Sequence, residues 1–280
     1  MTLPTYRADD DPGPSFLDVL RRAGGAPRWG DLPSGTTPDI THGTTVVAIR
    51  YADGVVMAGD RRATSGNLIS HRSMEKVFPA DRHSGVAIAG AAGPAVEMVK
   101  LFQLQLEHYE KVEGVQLSLE GKANQLGVMV RGHLPAAMQG FVVVPLFAGF
   151  DVRRGMGRLF EYDVTGGRYE ESDFAATGSG SLHAGTVIKM GYSPGLDREA
   201  AVELAINSLF QAADEDSATG GPDLVRGIYP VVATITAAGF ARLDDAEVAE
   251  HFRALLERLS APGSTTTTAP APTIPGGDGR

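Results

Sequence analysis

A threonine pair at Gly43-Thr44-Thr45 stands immediately before the β-branched and apolar run Val46-Val47-Ala48-Ile49. A cut between Gly43 and Thr44 would leave a hydroxyl nucleophile and an α-amine on one residue. Such an amine titrates at about 7.7–8.0, so near neutral pH it can take the hydroxyl's proton. Taken alone, the pair fits an ordinary strand start just as well. Polar clusters interrupt apolar elements further on. Asp60 closes the run Val55-Val56-Met57-Ala58-Gly59, and Lys76 lies inside Met74-Glu75-Lys76-Val77-Phe78. The glycine turns Gly90-Ala91-Ala92-Gly93 and Thr177-Gly178-Ser179-Gly180-Ser181 each lead into a helical pattern, and Asp216-Ser217-Ala218-Thr219-Gly220-Gly221 follows one. Singly, each has a plain reading. Asp60 fits a turn, Lys76 a surface lysine, Thr177–Ser181 a helix cap, and Asp216 with Thr219 a helix end. The Thr177–Ser181 glycine turn lacks the lysine that a phosphate loop would carry.

The elements that would position these residues follow from hydrophobic periodicity. Thr45–Tyr51 and Gly54–Gly59 read as short strands joined by the turn Ala52-Asp53-Gly54. Ser84–Ala89 reads as another strand. From Pro94 to Tyr109 the apolar residues Ala95, Met98, Val99, Phe102 and Leu106 recur at helical spacing, with Gly114 beyond the end. Leu117–Leu134 reads as a second helix. Phe141–Val152 and Arg158–Val164 return to strand, Ser181–Met190 and Asp197–Ala213 to helix, Tyr229–Thr236 and Phe240–Leu243 to strand, and Asp244–Leu259 to a last helix. Strands grouped with strands and helices with helices predict an α+β fold. Two antiparallel sheets packed face to face with helix pairs outside, a four-layer αββα sandwich, would bury every apolar stripe.

The ends differ in character. Residues 1–43 are rich in Pro, Gly and Asp, with one expected helix at Ser15–Ala23, where Ser15 and Asp18 have capping spacing. Residues 261–280 are Thr, Ala, Pro and Gly with little apolar bulk and read as a disordered tail. The division expected is 1–43, a compact 44–260 and the tail 261–280. The net charge of −9 argues against a nucleic-acid partner. With no cysteine, disulfides and thiol catalysis are excluded. No apolar run approaches the roughly 20 residues of a membrane helix, and the N-terminus shows no secretory pattern. A cytoplasmic protein is expected.

Taken together, the clusters resemble the β-subunits of the proteasome core particle, which are N-terminal-nucleophile (Ntn) hydrolases. The resemblance runs from Gly43 to about Leu259 and is carried by Gly43-Thr44-Thr45, Gly59-Asp60-Arg61-Arg62-Ala63-Thr64, Lys76, Ala89-Gly90-Ala91-Ala92-Gly93, Gly178-Ser179-Gly180-Ser181 and Asp216-Ser217-Ala218-Thr219-Gly220. The leading segment and the composition look like the actinobacterial version. The resemblance implies the Ntn-hydrolase fold and a threonine endopeptidase without a cofactor or metal, made active by self-cleavage between Gly43 and Thr44. Thr44 would be the nucleophile, and Lys76, paired with Asp60, would favour its alkoxide. Gly90 would supply an oxyanion N–H, while Ser179, Asp216 and Thr219 would hold the Thr44 amine and a water. Serine is commoner where Thr219 stands. Ala63, Met74, Ile88 and Ala92 would line the pocket for the residue before the cut, although Ile88 also fits plain core. Implied partners are proteasome α-subunits and other β-subunits in stacked seven-membered rings, an ATPase ring that delivers unfolded proteins, and peptide substrates. A ring subunit of the same fold without activity is the rival reading, and Thr44 with Lys76 and Asp60 counts against it.

Overall fold

In β1 (Thr45–Tyr51) successive side chains turn to opposite faces, and both faces are buried. Val46 and Ala48 enter one apolar cluster, Val47 and Ile49 another. A strand covered on both sides must lie in an inner layer, and the computed structural model, which describes residues 43–66 and 68–260, places it there. β1 pairs antiparallel with β2 (Gly54–Gly59) on one side and with β10 (Phe174–Gly178) on the other. β2 continues to β11 (Val231–Thr236) and β12 (Gly239–Arg242), giving the order β10-β1-β2-β11-β12. The second sheet runs in sequence order: β5 (Val77–Asp81), β6 (Ser84–Gly90), β7 (Val143–Asp151), β8 (Met156–Tyr162) and β9 (Arg168–Glu171), all antiparallel. A small hairpin, β3 (Ala63–Ser65) with β4 (Leu68–His71), stands apart.

The two sheets bury Val46, Ala48, Val55 and Met57 against Ala87, Leu146, Ala148 and Leu159. Helices α1 (Ala92–Glu113) and α2 (Leu119–Ala137) cover the outer face of the second sheet through Met98, Phe102, Leu126, Phe147 and Phe160. Phe102 meets Phe147 edge-on with ring centroids 5.9 Å apart. Full burial of such a side chain contributes about 1.5–3 kcal/mol. Helices α3 (Ser181–Gly191), α4 (Arg198–Glu215) and α5 (Asp245–Ser260) cover the first sheet through Ile188, Ala205, Leu209, Val248 and Phe252. The result is the αββα sandwich of the Ntn-hydrolase type. One outer layer holds a helix pair as expected. The other adds α5, whose apolar stripe needs the same cover.

Boundaries moved little where the pattern was long. α1 ends at Gly114, which adopts the left-handed φ of 70° and donates its N–H to Glu110 O. The strands absent from the sequence reading, β3, β4, β5, β9 and β10, are short and have little or no apolar alternation. β4 is exposed throughout. The expected helix at Ser15–Ala23 and the tail from 261 lie outside the described residues. Among the described residues no helix is long and apolar enough to cross a membrane.

Candidate active site

The sandwich gathers the scattered polar clusters at one end of the first sheet. Asp60 follows β2 and Lys76 precedes β5, so the pair bridges the two sheets. Both are fully buried, at 0% exposure, which rules out a surface lysine and a turn aspartate. Lys76 Nζ donates to Asp60 Oδ1 at 2.6 Å and to the Arg62 carbonyl at 2.6 Å. Asp60 is saturated with donors. Its Oδ1 also accepts from the Thr45 N–H (2.8 Å), and its Oδ2 from Arg62 N–H (2.9 Å) and Gly220 N–H (2.8 Å). Both carboxylate oxygens are thus satisfied by protein donors, as a fully buried acceptor requires. Burial pushes the Lys76 ammonium below the ordinary lysine range, and the Asp60 carboxylate opposes that shift. Asp60 Oδ1 thus joins the ammonium to the backbone that carries Thr44.

Thr44 is 5% exposed at the head of β1. Its Oγ1 donates to the Gly43 carbonyl at 2.8 Å, and its own carbonyl accepts from Ser179 N–H at 2.9 Å. The Gly43 N–H donates to Thr64 Oγ1 at 3.2 Å. A Cβ on Gly43 would lie 1.8 Å from the Ala218 Cβ, so only glycine fits. The bond between Gly43 and Thr44 is intact here, and its carbonyl lies beside the hydroxyl.

A third group closes the site from the far side. Asp216, at the C-terminal end of α4, accepts at Oδ2 from the Ser179 hydroxyl and from Thr219 Oγ1 (2.5 Å), and at Oδ1 from Ala218 N–H (3.1 Å). Burial pushes its carboxyl up, but these bonds outweigh burial and hold it below the usual carboxylate range. The Thr219 proton is therefore committed to Asp216 and is not available to Thr44. Thr219 Oγ1 also meets Thr45 Oγ1 at 2.6 Å. Thr45, Thr64 and Arg62 were missed as contributors in the sequence. Thr45 and Thr219 are 174 residues apart, and no local spacing announces that contact.

Gly90 ends β6 with φ +106°, and a Cβ there would lie 2.1 Å from the Val142 carbonyl. Glycine is the residue that accepts this conformation. Ala63 opens β3 and is buried, while Met74 and Ala92 are half-buried. Ile88 is 3% exposed and belongs to the apolar cluster beneath α1 and α2, and its N–H donates to Lys76 O at 2.9 Å. Ile88 is thus part of the core as well as a neighbour of the lysine.

The family described as Proteasome subunit matches residues 40–225, which include every residue of this site. A proteasome subunit beta of Acidimicrobium ferrooxidans is 58% identical over 252 residues, spanning 89% of this chain and 92% of that protein. One from Streptomyces griseus is 62% identical over 217 residues, 78% of this chain and 77% of the relative. One from Jonesia denitrificans is 51% identical over 244 residues, 85% and 80% of the two chains.

Proposed function

The chain belongs to the proteasome subunit family, and on that premise we propose that it is a threonine endopeptidase that frees its own nucleophile by cutting between Gly43 and Thr44. It serves as the catalytic β-subunit of the 20S core, a peptidase assembled with other proteasome subunits. The observation that carries the threonine reading is the contact of Thr44 Oγ1 with the Gly43 carbonyl, one residue from the Thr45 N–H that binds the buried Asp60–Lys76 pair.

In self-cleavage, Thr44 Oγ1 attacks the Gly43 carbonyl carbon. The C–O bond forms, the C–N bond breaks, and the hydroxyl proton passes to the departing nitrogen. Water then hydrolyses the ester, releasing residues 1–43 with a Gly43 carboxylate and regenerating the hydroxyl. In turnover the new α-amine takes the Thr44 proton and Oγ1 attacks a substrate carbonyl; the peptide C–N bond breaks as that proton passes to the leaving amine, and water then hydrolyses the acyl ester to regenerate the hydroxyl. Two protons of the Lys76 ammonium are spent on Asp60 and Arg62. The third, with the charge itself, serves the developing alkoxide. The Gly90 N–H faces the oxyanion. Ser179 and Asp216 hold the amine and a water, with Thr219 acting through Asp216.

Intact mass of particles assembled with the α-partner tests the reading. The mature chain should begin at Thr44, and Thr44→Ala should retain residues 1–43 and show no turnover. Full activity of the uncut chain overturns it. Ala63, Met74 and Ala92, with Ile88 behind them, would form an apolar pocket. Fluorogenic peptides with Tyr, Phe or Leu before the cut should therefore outpace those with Glu or Arg by about tenfold, the worth of one good apolar contact. An acidic preference would overturn the pocket assignment.

Assembly into stacked seven-membered rings with α-subunits accords with the outer helix faces. Leu101, Leu104 and Val112 on α1 and Leu182 and Met190 on α3 are exposed, apolar surface of the kind partner subunits cover. Enclosure would let only unfolded chains reach Thr44, delivered by an ATPase ring in the cytoplasm.

A further inference from the structure

One amide, two hydroxyls and one carboxylate form a chain whose direction is fixed by its ends. Asp216 accepts only, so Thr219 donates to it (2.5 Å). Thr219 has then used its one proton, so Thr45 donates in the 2.6 Å contact between their hydroxyls. Thr45 Oγ1 in turn accepts from Gly180 N–H at 3.0 Å. The run is Gly180 N–H to Thr45, Thr45 to Thr219, and Thr219 to Asp216, every donor used once. Thr45 and Thr219 are both 0% exposed, so water cannot replace either link. Gly180 makes the room. A Cβ there would fall 2.5 Å from Thr45 Oγ1 and 2.7 Å from Thr219 Oγ1.

The geometry points to Thr45 as a positioning residue whose hydroxyl sets the direction of the Thr219–Asp216 bond, and so the orientation of the carboxylate that serves the Thr44 amine. This rests on Thr44 being the nucleophile. Without the Thr45 proton, Thr219 has no donor fixing its rotamer, and Gly180 N–H loses a buried acceptor. The relay suits the threonine found at 219. Its methyl limits the rotamers of a hydroxyl that must face two partners at once.

Thr45→Val and Thr45→Ser separate this from packing. Val keeps the shape and branching of a buried strand residue and loses only the hydroxyl. Ser keeps the hydroxyl and loses a methyl. If Thr45 only packs, Val matches wild type and Ser is the weaker. If it positions Asp216, the order reverses. The measurement is kcat and KM for an apolar fluorogenic peptide, using particles assembled from the full chain with its α-partner. The expected result is a kcat lowered about tenfold in Thr45→Val, the worth of one hydrogen bond, with KM unchanged and Thr45→Ser close to wild type. Should the Val chain fail to assemble, Thr45→Ala takes its place against Thr45→Ser. Both lack the methyl, so the same tenfold gap reports the hydroxyl alone. Equal rates within the Val–Ser or Ala–Ser pair overturn the proposal. Thr44→Ala is run alongside. Turnover persisting there would overturn the nucleophile assignment itself, a result distinct from failure of the relay.

Discussion

Lys76→Ala is expected to lower peptide turnover by roughly a thousandfold, the scale of losing a preorganised charge-stabilising group, and to leave most of the chain still carrying residues 1–43. The ammonium is 0% exposed and held at 2.6 Å by both Asp60 Oδ1 and the Arg62 carbonyl. On the proposed mechanism, its removal takes away the positive charge that serves the Thr44 alkoxide. It also strands the Asp60 carboxylate, and breaking a buried pair costs about 3–5 kcal/mol. Here the cost falls toward the low end, because Thr45, Arg62 and Gly220 N–H groups still bind Asp60. The fold should survive, as circular dichroism would check. Lys76→Arg should rescue poorly. The slot between Asp60 and the Arg62 carbonyl is shaped for a compact ammonium, and guanidinium is wide and planar. Hydrolysis of an apolar fluorogenic peptide by assembled particles is the assay. A near-normal rate in Lys76→Ala would remove the lysine from the mechanism and leave its burial as a purely structural fact.

Long amphipathic elements were legible in the sequence because their periodicity is itself the physics of burial. α1 shows Ala95, Met98, Val99, Phe102 and Leu106 at helical spacing, and these are the residues it buries. β1 alternates between two apolar clusters. The short hairpin β3–β4 was not legible, because its second strand is exposed along its whole length and offers no apolar pattern. The same division runs through the site. Asp60 and Lys76 stood out as charged residues interrupting apolar runs, but each also fitted a plain reading, and only the family resemblance implied that they pair. Their burial and shared oxygen were not legible, since they depend on the two sheets meeting. Thr45 looked like the first residue of a strand, and it is one. Its second role arises because α4 ends where it brings Asp216 and Thr219 against β1, a consequence of helix packing that no local motif encodes.

Gly43→Ala is expected to slow self-cleavage by about a hundredfold while leaving the mature site untouched. The added Cβ would sit 1.8 Å from the Ala218 Cβ and 2.6 Å from both the Ala218 Cα and carbonyl oxygen. Something must move, and both ways of moving are harmful. If residue 43 withdraws, its carbonyl leaves the 2.8 Å contact with Thr44 Oγ1. If the Ala218 loop withdraws, it drags the Ala218 N–H off Asp216 Oδ1 and disturbs Thr219 beside it. A displacement of about 1 Å at a reacting centre is worth a hundredfold in rate. Ala218→Gly added to Gly43→Ala should restore part of the rate, because it removes the nearest clashing atom and leaves the backbone ones. The time course of the uncut fraction, read by intact mass after mixing with the α-partner, measures the effect. A chain produced directly with Thr44 at its N-terminus has no residue 43 to misplace and should hydrolyse peptide at the full rate. Wild-type self-cleavage by Gly43→Ala would mean that the carbonyl reaches Thr44 from another direction, and that the close fit against Ala218 has no part in the cut.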